Sequence, residues 1–175
     1  NNKKLFYFNY LLKRYFEFEA SFLYDFYLYP FNQYIKNNFG GEISFKFYIP
    51  KASYLYAGVS VMVNVLAAKA DTEFPINLLL VNLPVYLKFG TNLNMFKYLE
   101  MDLSFGAGIS VVLGYLLDKL DSYVRPCILL DLDVYYTPVK YFKIGGGLIF
   151  SSTFYAYSNL TLFTLSPRFS IAASF

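Results

Sequence analysis

The sequence predicts an all-β protein, an eight-stranded antiparallel up-and-down β-barrel that crosses a membrane. Three observations support this prediction. Only 15% of the residues are charged whereas 57% are hydrophobic, too few charges to cover the surface of a soluble domain. Apolar and polar residues alternate with a period of two in one segment after another, the pattern of strands whose two faces meet different surroundings. None of the apolar faces carries a charge, as expected where the outside of a barrel meets lipid.

Eight segments show this alternation, with lengths of roughly 10 residues, as for strands that cross a bilayer at a tilt. In the first segment, Phe16 and Phe18 oppose Glu17 and Glu19. The predicted strands, in chain order, are Tyr15–Asp25, Gly41–Pro50, Leu55–Val65, Leu79–Phe89, Leu99–Val111, Ile128–Tyr135, Phe142–Ser151 and Leu165–Phe175. A soluble lipocalin-like barrel has its polar face outside, but polar faces such as Gly106–Ser110 have far too few charges to face water.

The connections between these strands are predicted to alternate between short turns and longer loops. The short turns are Pro50–Ser53, Gly90–Lys97 and Thr137–Tyr141. The longer loops are Phe26–Asn38, Ala67–Phe74, Val112–Pro126 and Ser152–Asn159. Outer-membrane barrels have their short turns in the periplasm, so we expect both termini there and the long loops outside the cell. Basic residues in the periplasmic segments, among them Arg14 and Lys51, are expected to form a rim suited to anionic headgroups.

Residues 1–14 are expected to form an N-terminal periplasmic or interfacial segment before the barrel of residues 15–175. The apolar run Leu5–Leu12 lies between basic residues, and a short helix in the interface is favoured over a continuation of the first strand. An extra strand is disfavoured because bacterial barrels have even strand numbers. The run lacks a small-residue cleavage site, so we expect it to belong to the mature chain.

Charged residues of the predicted lumen cluster in its periplasmic half. They are Glu17, Glu19, Lys46, Lys88, Glu100, Asp102, Asp131, Asp133, Lys143 and Arg168. Opposite charges attract strongly in a narrow lumen of low dielectric constant, and an unpaired charge there is costly. The main interpretation is a structural plug. The alternatives are a gated ion path lined by carboxylates and a carboxylate pair that shares a proton. The outer half is expected to contain mainly Gly, Ser and Asn, with Glu42 as its charge.

Several kinds of chemistry are excluded by what the composition lacks. The chain has no His and a single cysteine, Cys127. Histidine-dependent hydrolysis and most zinc or haem sites therefore cannot be assembled. We expect a non-enzymatic protein without catalytic residues, metal or cofactor, in which Cys127 is a buried, inert thiol.

The terminal strand carries a resemblance to a known family. Its alternating apolar residues, Phe169, Ile171 and Phe175, are similar to the signal that the barrel-assembly machinery recognises. Over Tyr15–Phe175 the chain resembles the small eight-stranded barrels typified by the transmembrane domain of outer-membrane protein A and its OmpX-like relatives. This resemblance implies a monomer in the bacterial outer membrane, surrounded by lipid, but no single activity. The abundance of Phe, Tyr, Asn and Lys suggests an AT-rich genome such as that of a spirochaete.

The outer loops are the predicted interaction surface. Their candidate contact residues are Tyr27, Tyr29, Tyr34, Lys36, Tyr115, Asp118, Lys119, Tyr123 and Arg125. Aromatic residues mixed with balanced charge suit protein contacts, whereas nucleic acid requires a clustered basic patch. We therefore expect an adhesin that binds host matrix or serum proteins, or a structural membrane protein. A narrow, porin-like, cation-leaning pore is the alternative, and a lipid-modifying barrel enzyme ranks third because such hydrolases resemble His-dependent enzymes.

Overall fold

Eight long strands and one short strand form a closed antiparallel barrel in a computed structural model of the chain. The structure describes residues 14–29, 31–33, 35–68, 79–116, 119–139, 141–155 and 160–175. The strands are β1 (Phe16–Tyr27), β2 (Ile35–Lys36), β3 (Asn38–Ile49), β4 (Ala52–Ala68), β5 (Leu79–Phe96), β6 (Leu99–Leu116), β7 (Lys119–Val139), β8 (Phe142–Tyr155) and β9 (Leu160–Ser174).

The barrel closes because the first and last wall strands, which would be the two edges of a flat sheet, pair with each other. Strand β1 pairs with both β3 and β9, and β4 pairs with β5. A closed sheet satisfies its backbone groups internally, as a membrane-spanning structure requires. The predicted eight-stranded barrel is thus confirmed, and β2 is an additional two-residue strand paired with the end of β4.

The position of the described chain ends distinguishes the two ends of the barrel. At one end β1 begins and β9 ends, and there the backbone N–H of Tyr15 donates to the carbonyl oxygen of Phe175 at 2.8 Å. We call this the termini end and the opposite one the loop end. Among the described residues, no helix is long and apolar enough to span a membrane.

The side chains of each wall strand alternate between outside and lumen, as their sequences predict. On β1, Phe18 is 46% exposed, while Glu17 and Glu19 are buried. Outward aromatic rings pack on one another across β1 and β3, with the Phe16 and Phe47 centroids 5.3 Å apart. A continuous exposed apolar wall around a buried polar interior is the arrangement that lipid favours.

Two predicted connections are wrong because the strands are longer than the apolar pattern. The predicted turn Gly90–Lys97 belongs mostly to β5, which stays paired with β6 as far as Phe96. The predicted loop Val112–Pro126 is a hairpin whose pairs run from Val112–Tyr123 to Leu116–Lys119. Beyond the lipid both faces of a strand meet water, so alternation is lost although the ladder hydrogen bonds can continue.

Other predicted segments are changed at their ends. Within Phe26–Asn38, β1 continues to Tyr27, a 3-10 helix spans Phe31–Gln33, and β2 follows. Strand β8 extends to Tyr155, inside the predicted loop Ser152–Asn159, and β9 begins directly after that loop at Leu160. Strand β4 extends to Ala68. The interfacial helix predicted within residues 1–14 lies outside the described residues, apart from Arg14.

Candidate functional site

The inward side chains near the termini end form one charged network. All ten predicted luminal charges are buried, and none is more than 6% exposed. Glu42 and Arg14 join them, so the described ion pairs connect seven carboxylates with five basic side chains. We call this set the charged network.

Two lysines organise the part of the charged network closest to the termini end. The Lys143 Nζ lies 2.6 Å from Glu17 and 2.8 Å from Glu100. The Lys46 Nζ lies 2.8 Å from Glu19 and 2.9 Å from Asp102. Because each ammonium contacts more than one carboxylate, the excess acids share the available cations.

The other part of the charged network is centred on Arg168. Its Nε donates to Asp133 at 2.6 Å and its Nη1 donates to Glu42 at 2.6 Å. Its Nη2 contacts Asp131 at 2.9 Å, and Lys88 bridges Asp131 and Glu42 at 2.8 Å each. The planar guanidinium, with its five N–H donors in a fixed fork, thus contacts four carboxylates at once.

Arg14 was predicted to belong to a basic periplasmic rim, and for this residue the prediction is wrong. Its guanidinium is buried in the mouth of the lumen and donates to both carboxylate oxygens of Glu100, at 2.7 and 2.5 Å. Burial by itself lowers the pKa of Arg14, but the hydrogen bonds and negative charge of Glu100 outweigh burial and raise that pKa. The sequence placed Arg14 outside because it directly precedes the first alternating segment.

Tyrosine side chains fill the remaining space around the charges. The Tyr135 hydroxyl donates to Glu19 at 2.6 Å, and the Tyr48 hydroxyl donates to Glu17 at 3.1 Å. The Tyr135 ring also lies under Lys143, whose Nζ is 5.4 Å from the ring centroid. Gly145 makes room for that ring, since a Cβ there would come within 2.8 Å of the Tyr135 Cδ1 atom.

An apolar layer follows the charged network toward the loop end. It consists of Leu23, Met62, Tyr86, Cys127, Leu129 and Ile149, which pack together and are at most 2% exposed. We call it the inner apolar layer. On β7, Leu129 is the next inward residue after Asp131, so this layer lies directly against the charges. The outer half was expected to contain mainly Gly, Ser and Asn, and this layer corrects that expectation.

Two more groups of inward side chains, one polar and one apolar, lie between the inner apolar layer and the loop end. The polar band consists of the buried residues Asp25, Asn64, Asn82, Ser110, Thr164 and Ser166. Above it, Tyr27, Leu66 and Leu162 form the outer apolar layer, with Ile35 packed against them. The lumen therefore alternates between polar and apolar zones along the barrel axis.

Buried side chains fill these levels of the barrel interior. An eight-stranded barrel is just wide enough for side chains to fill. Here the carboxylates of the charged network share five basic side chains, and the side chains of the inner apolar layer pack together beside them. The described ion pairs connect different strands of the wall, for example Lys143 with Glu17 and Arg168 with Glu42.

The structure separates the predicted loop residues into different environments. The prediction that Tyr27 lies on the surface is wrong, because Tyr27 is only 3% exposed and belongs to the outer apolar layer. Tyr29 is 72% exposed, Lys36 is exposed, and Tyr123 is 47% exposed with the Arg125 guanidinium 5.1 Å from its ring centroid.

The remaining candidates of the loop surface are Tyr34, Tyr115, Asp118 and Lys119. Tyr34 and Asp118 lie outside the described residues. Tyr115 and Lys119 belong to the paired tip of the β6–β7 hairpin, as does Tyr123. The hairpin therefore presents these positions on paired strands, whereas the sequence predicted an irregular loop.

The last strand presents its predicted signal residues to the outside. Phe169 is 52% exposed, Ile171 is 45% exposed and Phe175 is 66% exposed. Inward neighbours such as Ser170 and Ser174 are buried. An apolar stripe ending at the last residue is thus available along β9 on the lipid side.

The charged network contains two members that sequence reasoning left out of the plug, Arg14 and Glu42. Glu42 was assigned to the outer half of the lumen, yet its carboxylate receives both Arg168 and Lys88. Its inward position was visible in the alternation of the second segment, but its height along the axis depends on strand tilt. Leu129 and Ile149 occupy inward positions of their alternating segments, but which residues they meet across the lumen required the closed barrel.

Comparisons with known proteins identify the fold. The sequence matches no protein-family model and no curated protein. In structure, the chain is similar to Neisserial surface protein A (NspA), with a TM-score of 0.62 and 11% identity over 91% of this chain and 95% of that one. A major outer membrane protein from Thermus thermophilus gives a TM-score of 0.63 and 14% identity over 91% of this chain and 99% of that one.

A third similar structure is that of Ail, the attachment invasion locus protein of Yersinia pestis, in complex with the heparin analogue sucrose octasulfate. It gives a TM-score of 0.54 and 9% identity over 91% of this chain and 96% of that one. These identities are low, so the likeness concerns architecture. The chain has the fold of the small eight-stranded outer-membrane barrels.

Proposed function

We propose that the protein is a monomeric bacterial outer-membrane barrel that acts through its loop end, as an adhesin for host matrix or serum proteins or as a structural membrane protein. The observation that supports this most directly is the filled lumen. Lipid covers the exposed apolar wall and side chains block the interior, so the ends of the barrel are what remains for contact. We assign no enzymatic activity to the chain, and a lipid-modifying enzyme ranks last among the alternatives because the sequence has no His.

The proposed orientation has the loop end outside the cell and both termini in the periplasm. The connections at the termini end are short, as in periplasmic turns: β3 ends at Ile49 and β4 begins at Ala52. The outward stripe of β9, ending at Phe175, is the proposed contact for the barrel-assembly machinery. Outer-membrane lipid is then the partner of the wall.

The proposed binding surface contains Tyr29, Lys36 and the Tyr123–Arg125 pair. Exposed aromatic and guanidinium groups are enriched at protein interfaces, where they supply most of the binding energy. The described loop end has no clustered basic patch of the kind that nucleic acid requires. Ail is recorded with a heparin analogue, so a sulfated glycan is the competing ligand to include in the test.

The test compares two matched cation–aromatic pairs at opposite ends of the barrel. One pair is Tyr123 with Arg125, and the other is Tyr98 with Lys97, whose Nζ lies 4.9 Å from the Tyr98 ring centroid. The purified full chain is screened by surface plasmon resonance against host matrix proteins, serum proteins and heparin. Replacing both members of the loop-end pair by Ser is expected to weaken binding about tenfold or more, as for interface anchors.

The control replaces Lys97 and Tyr98 by Ser and is expected to bind normally. Equal losses in the two double variants would contradict a loop-end site. Binding that survives replacement of the whole β6–β7 tip and of the segment after β1 by Gly/Ser turns would leave a structural role in the membrane as the better function.

A narrow cation-leaning pore is the second candidate, and the excess of acids in the charged network favours it. Seven carboxylates share five basic groups there. Planar-bilayer recordings of the pure protein are expected to show no stable channel, because the inner apolar layer separates the network from the loop end. Reproducible cation-selective openings would overturn the closed lumen and support the pore.

A further inference from the structure

Asp25 differs from the other buried carboxylates of the lumen. It is fully buried, and the Ser166 hydroxyl donates to its Oδ1 at 2.5 Å. Its Oδ2 has no hydrogen-bond partner, and no basic side chain of the described residues lies within 4 Å of it. An ionised carboxylate in such a place is costly unless a positive charge or a proton accompanies it.

The surroundings of Asp25 increase that cost. On β1 it lies between Leu23 of the inner apolar layer and Tyr27 of the outer apolar layer. On β4, Asn64 lies in the same way between Met62 and Leu66. The polar band is therefore enclosed by apolar side chains on both sides.

Three oxygen atoms converge on one small space beside Gly40. The point at which a Cβ of residue 40 would lie is 3.2 Å from the Asp25 Oδ2, 3.3 Å from the Asn64 Oδ1 and 2.8 Å from the Val63 carbonyl oxygen. The Asn64 Oδ1, like the Asp25 Oδ2, has no hydrogen-bond partner, and Asn64 is only 3% exposed. Glycine at position 40 is what keeps this space open to the three oxygens.

The geometry points to a binding site for one alkali-metal cation, Na⁺, held by the Asp25 carboxylate, the Asn64 amide oxygen and the Val63 carbonyl oxygen. Carboxylate, amide and carbonyl oxygens are the ligands that hard cations prefer. One carboxylate neutralises one monovalent charge, whereas a divalent ion would leave an excess positive charge between two apolar layers. The ion links β1 and β4 across Gly40 of β3, beneath the outer apolar layer. This site is independent of any partner bound at the loop end.

The experiment follows the heat-modification temperature, at which the SDS-resistant folded band converts into the unfolded band on a gel. The full chain is refolded in detergent in NaCl or in choline chloride at equal ionic strength, without divalent ions. A separate sample in choline chloride receives CaCl2. We expect Na⁺ to raise the heat-modification temperature in a saturable manner. The nearly isosteric variant Asp25→Asn is expected to lose this dependence, and sodium NMR line broadening by the folded protein is expected to disappear with it.

Two glycine variants provide a matched pair. Gly40→Ala places a methyl group in the site and is expected to abolish the Na⁺ effect while retaining the carboxylate. In Gly41→Ala, the new Cβ meets only the Ser21 carbonyl oxygen at 3.7 Å, so the Na⁺ effect is expected to remain. If Gly40→Ala does not fold, the comparison between Asp25→Asn and the wild type still decides.

Three results would overturn the site. The first is an identical heat-modification temperature in NaCl and choline chloride for the wild type. The second is an Na⁺ effect that Asp25→Asn retains, which would place it elsewhere, for example in the charged network. The third is stabilisation of the wild type by Ca²⁺ but not by Na⁺. In the first case, a higher temperature in Asp25→Asn would indicate a protonated carboxyl that donates to Asn64.

Discussion

The two halves of the lumen are filled with opposite kinds of side chains. Toward the termini end, long charged side chains pair with one another in the charged network. Toward the loop end, two apolar layers enclose a polar band with one carboxylate, Asp25. The same barrel wall surrounds both, so the interior of a narrow barrel can be filled by side chains of either kind.

The difference also concerns how each half responds to the loss of a single group. In the charged network, removal of one partner leaves other charges buried without compensation. In an apolar layer, removal of atoms costs contacts in proportion to the cavity that remains. Mutations in the two halves are therefore expected to differ in size and in what they do to access from the loop end.

The largest effect is expected for Arg168→Ala. Arg168 contacts Glu19, Glu42, Asp131 and Asp133, and its loss is expected to destabilise the barrel by about 3–5 kcal/mol, as for breaking a buried ion pair. The measurement is the heat-modification temperature together with urea unfolding in detergent. Arg168→Lys is the control and is expected to lose less. An unchanged temperature in Arg168→Ala would mean that the acids are solvated or protonated.

A smaller effect is expected for Ile149→Ala in the inner apolar layer. Ile149 is fully buried, and truncation to Ala is expected to cost about 2–4 kcal/mol through lost contacts and a residual cavity. Ile109, which is 53% exposed on the wall, provides the matched control Ile109→Ala. If both variants unfold at the same urea concentration, the inner apolar layer does not form as described.

Arg14→Ala tests the mouth of the lumen and is expected to be milder still. Lys143 lies 2.8 Å from Glu100 and remains as its partner when Arg14 is removed, so the loss is expected to be about 1.5–3 kcal/mol, the range for hydrogen bonds to a charged group. The double variant Arg14→Ala with Lys143→Ala should lose more than the sum of the single variants. Strict additivity in urea unfolding would show that the two cations act on Glu100 independently.

The smallest expected effect is a change in the rate at which the Cys127 thiol, in the inner apolar layer, reacts with a maleimide. Cys127 is 2% exposed within the inner apolar layer, so a maleimide is expected to label it only after unfolding. Ile149→Ala is expected to accelerate labelling well below the heat-modification temperature, because it opens the same layer. Arg168→Ala is expected to leave labelling slow when it is measured equally far below that variant's own heat-modification temperature. Equal acceleration in the two variants would mean that the halves open together.

The fold was predictable because lipid imposes a strict rule on every strand. Each outward position must be apolar, so segments such as Gly41–Pro50 show their strand and their face directly in the sequence. The rule ends where the lipid ends. For that reason the β6–β7 hairpin beyond Val112 was predicted as a loop, and Tyr27 was predicted as a surface residue just past the first segment.

The charged residues of the site were predictable only in part. Inward charges such as Asp131 and Arg168 followed from alternation, since a charge on the opposite face would meet lipid. Their partners did not follow, because strand tilt and register set the height of each residue along the axis. Arg168 and Glu42 are far apart in the chain but lie 2.6 Å apart across the lumen.

By itself, the sequence determined the number of wall strands and which face of each strand meets lipid, because the alternation records a local and uniform environment. Only the closed barrel decided which side chains meet in the lumen. Closure brings inward residues from different strands to one level, which gives Arg14 its carboxylate, assembles the inner apolar layer and leaves Asp25 beside Gly40 without a basic partner within 4 Å among the described residues. These outcomes depend on distances between strands, and no pattern along a single strand contains them.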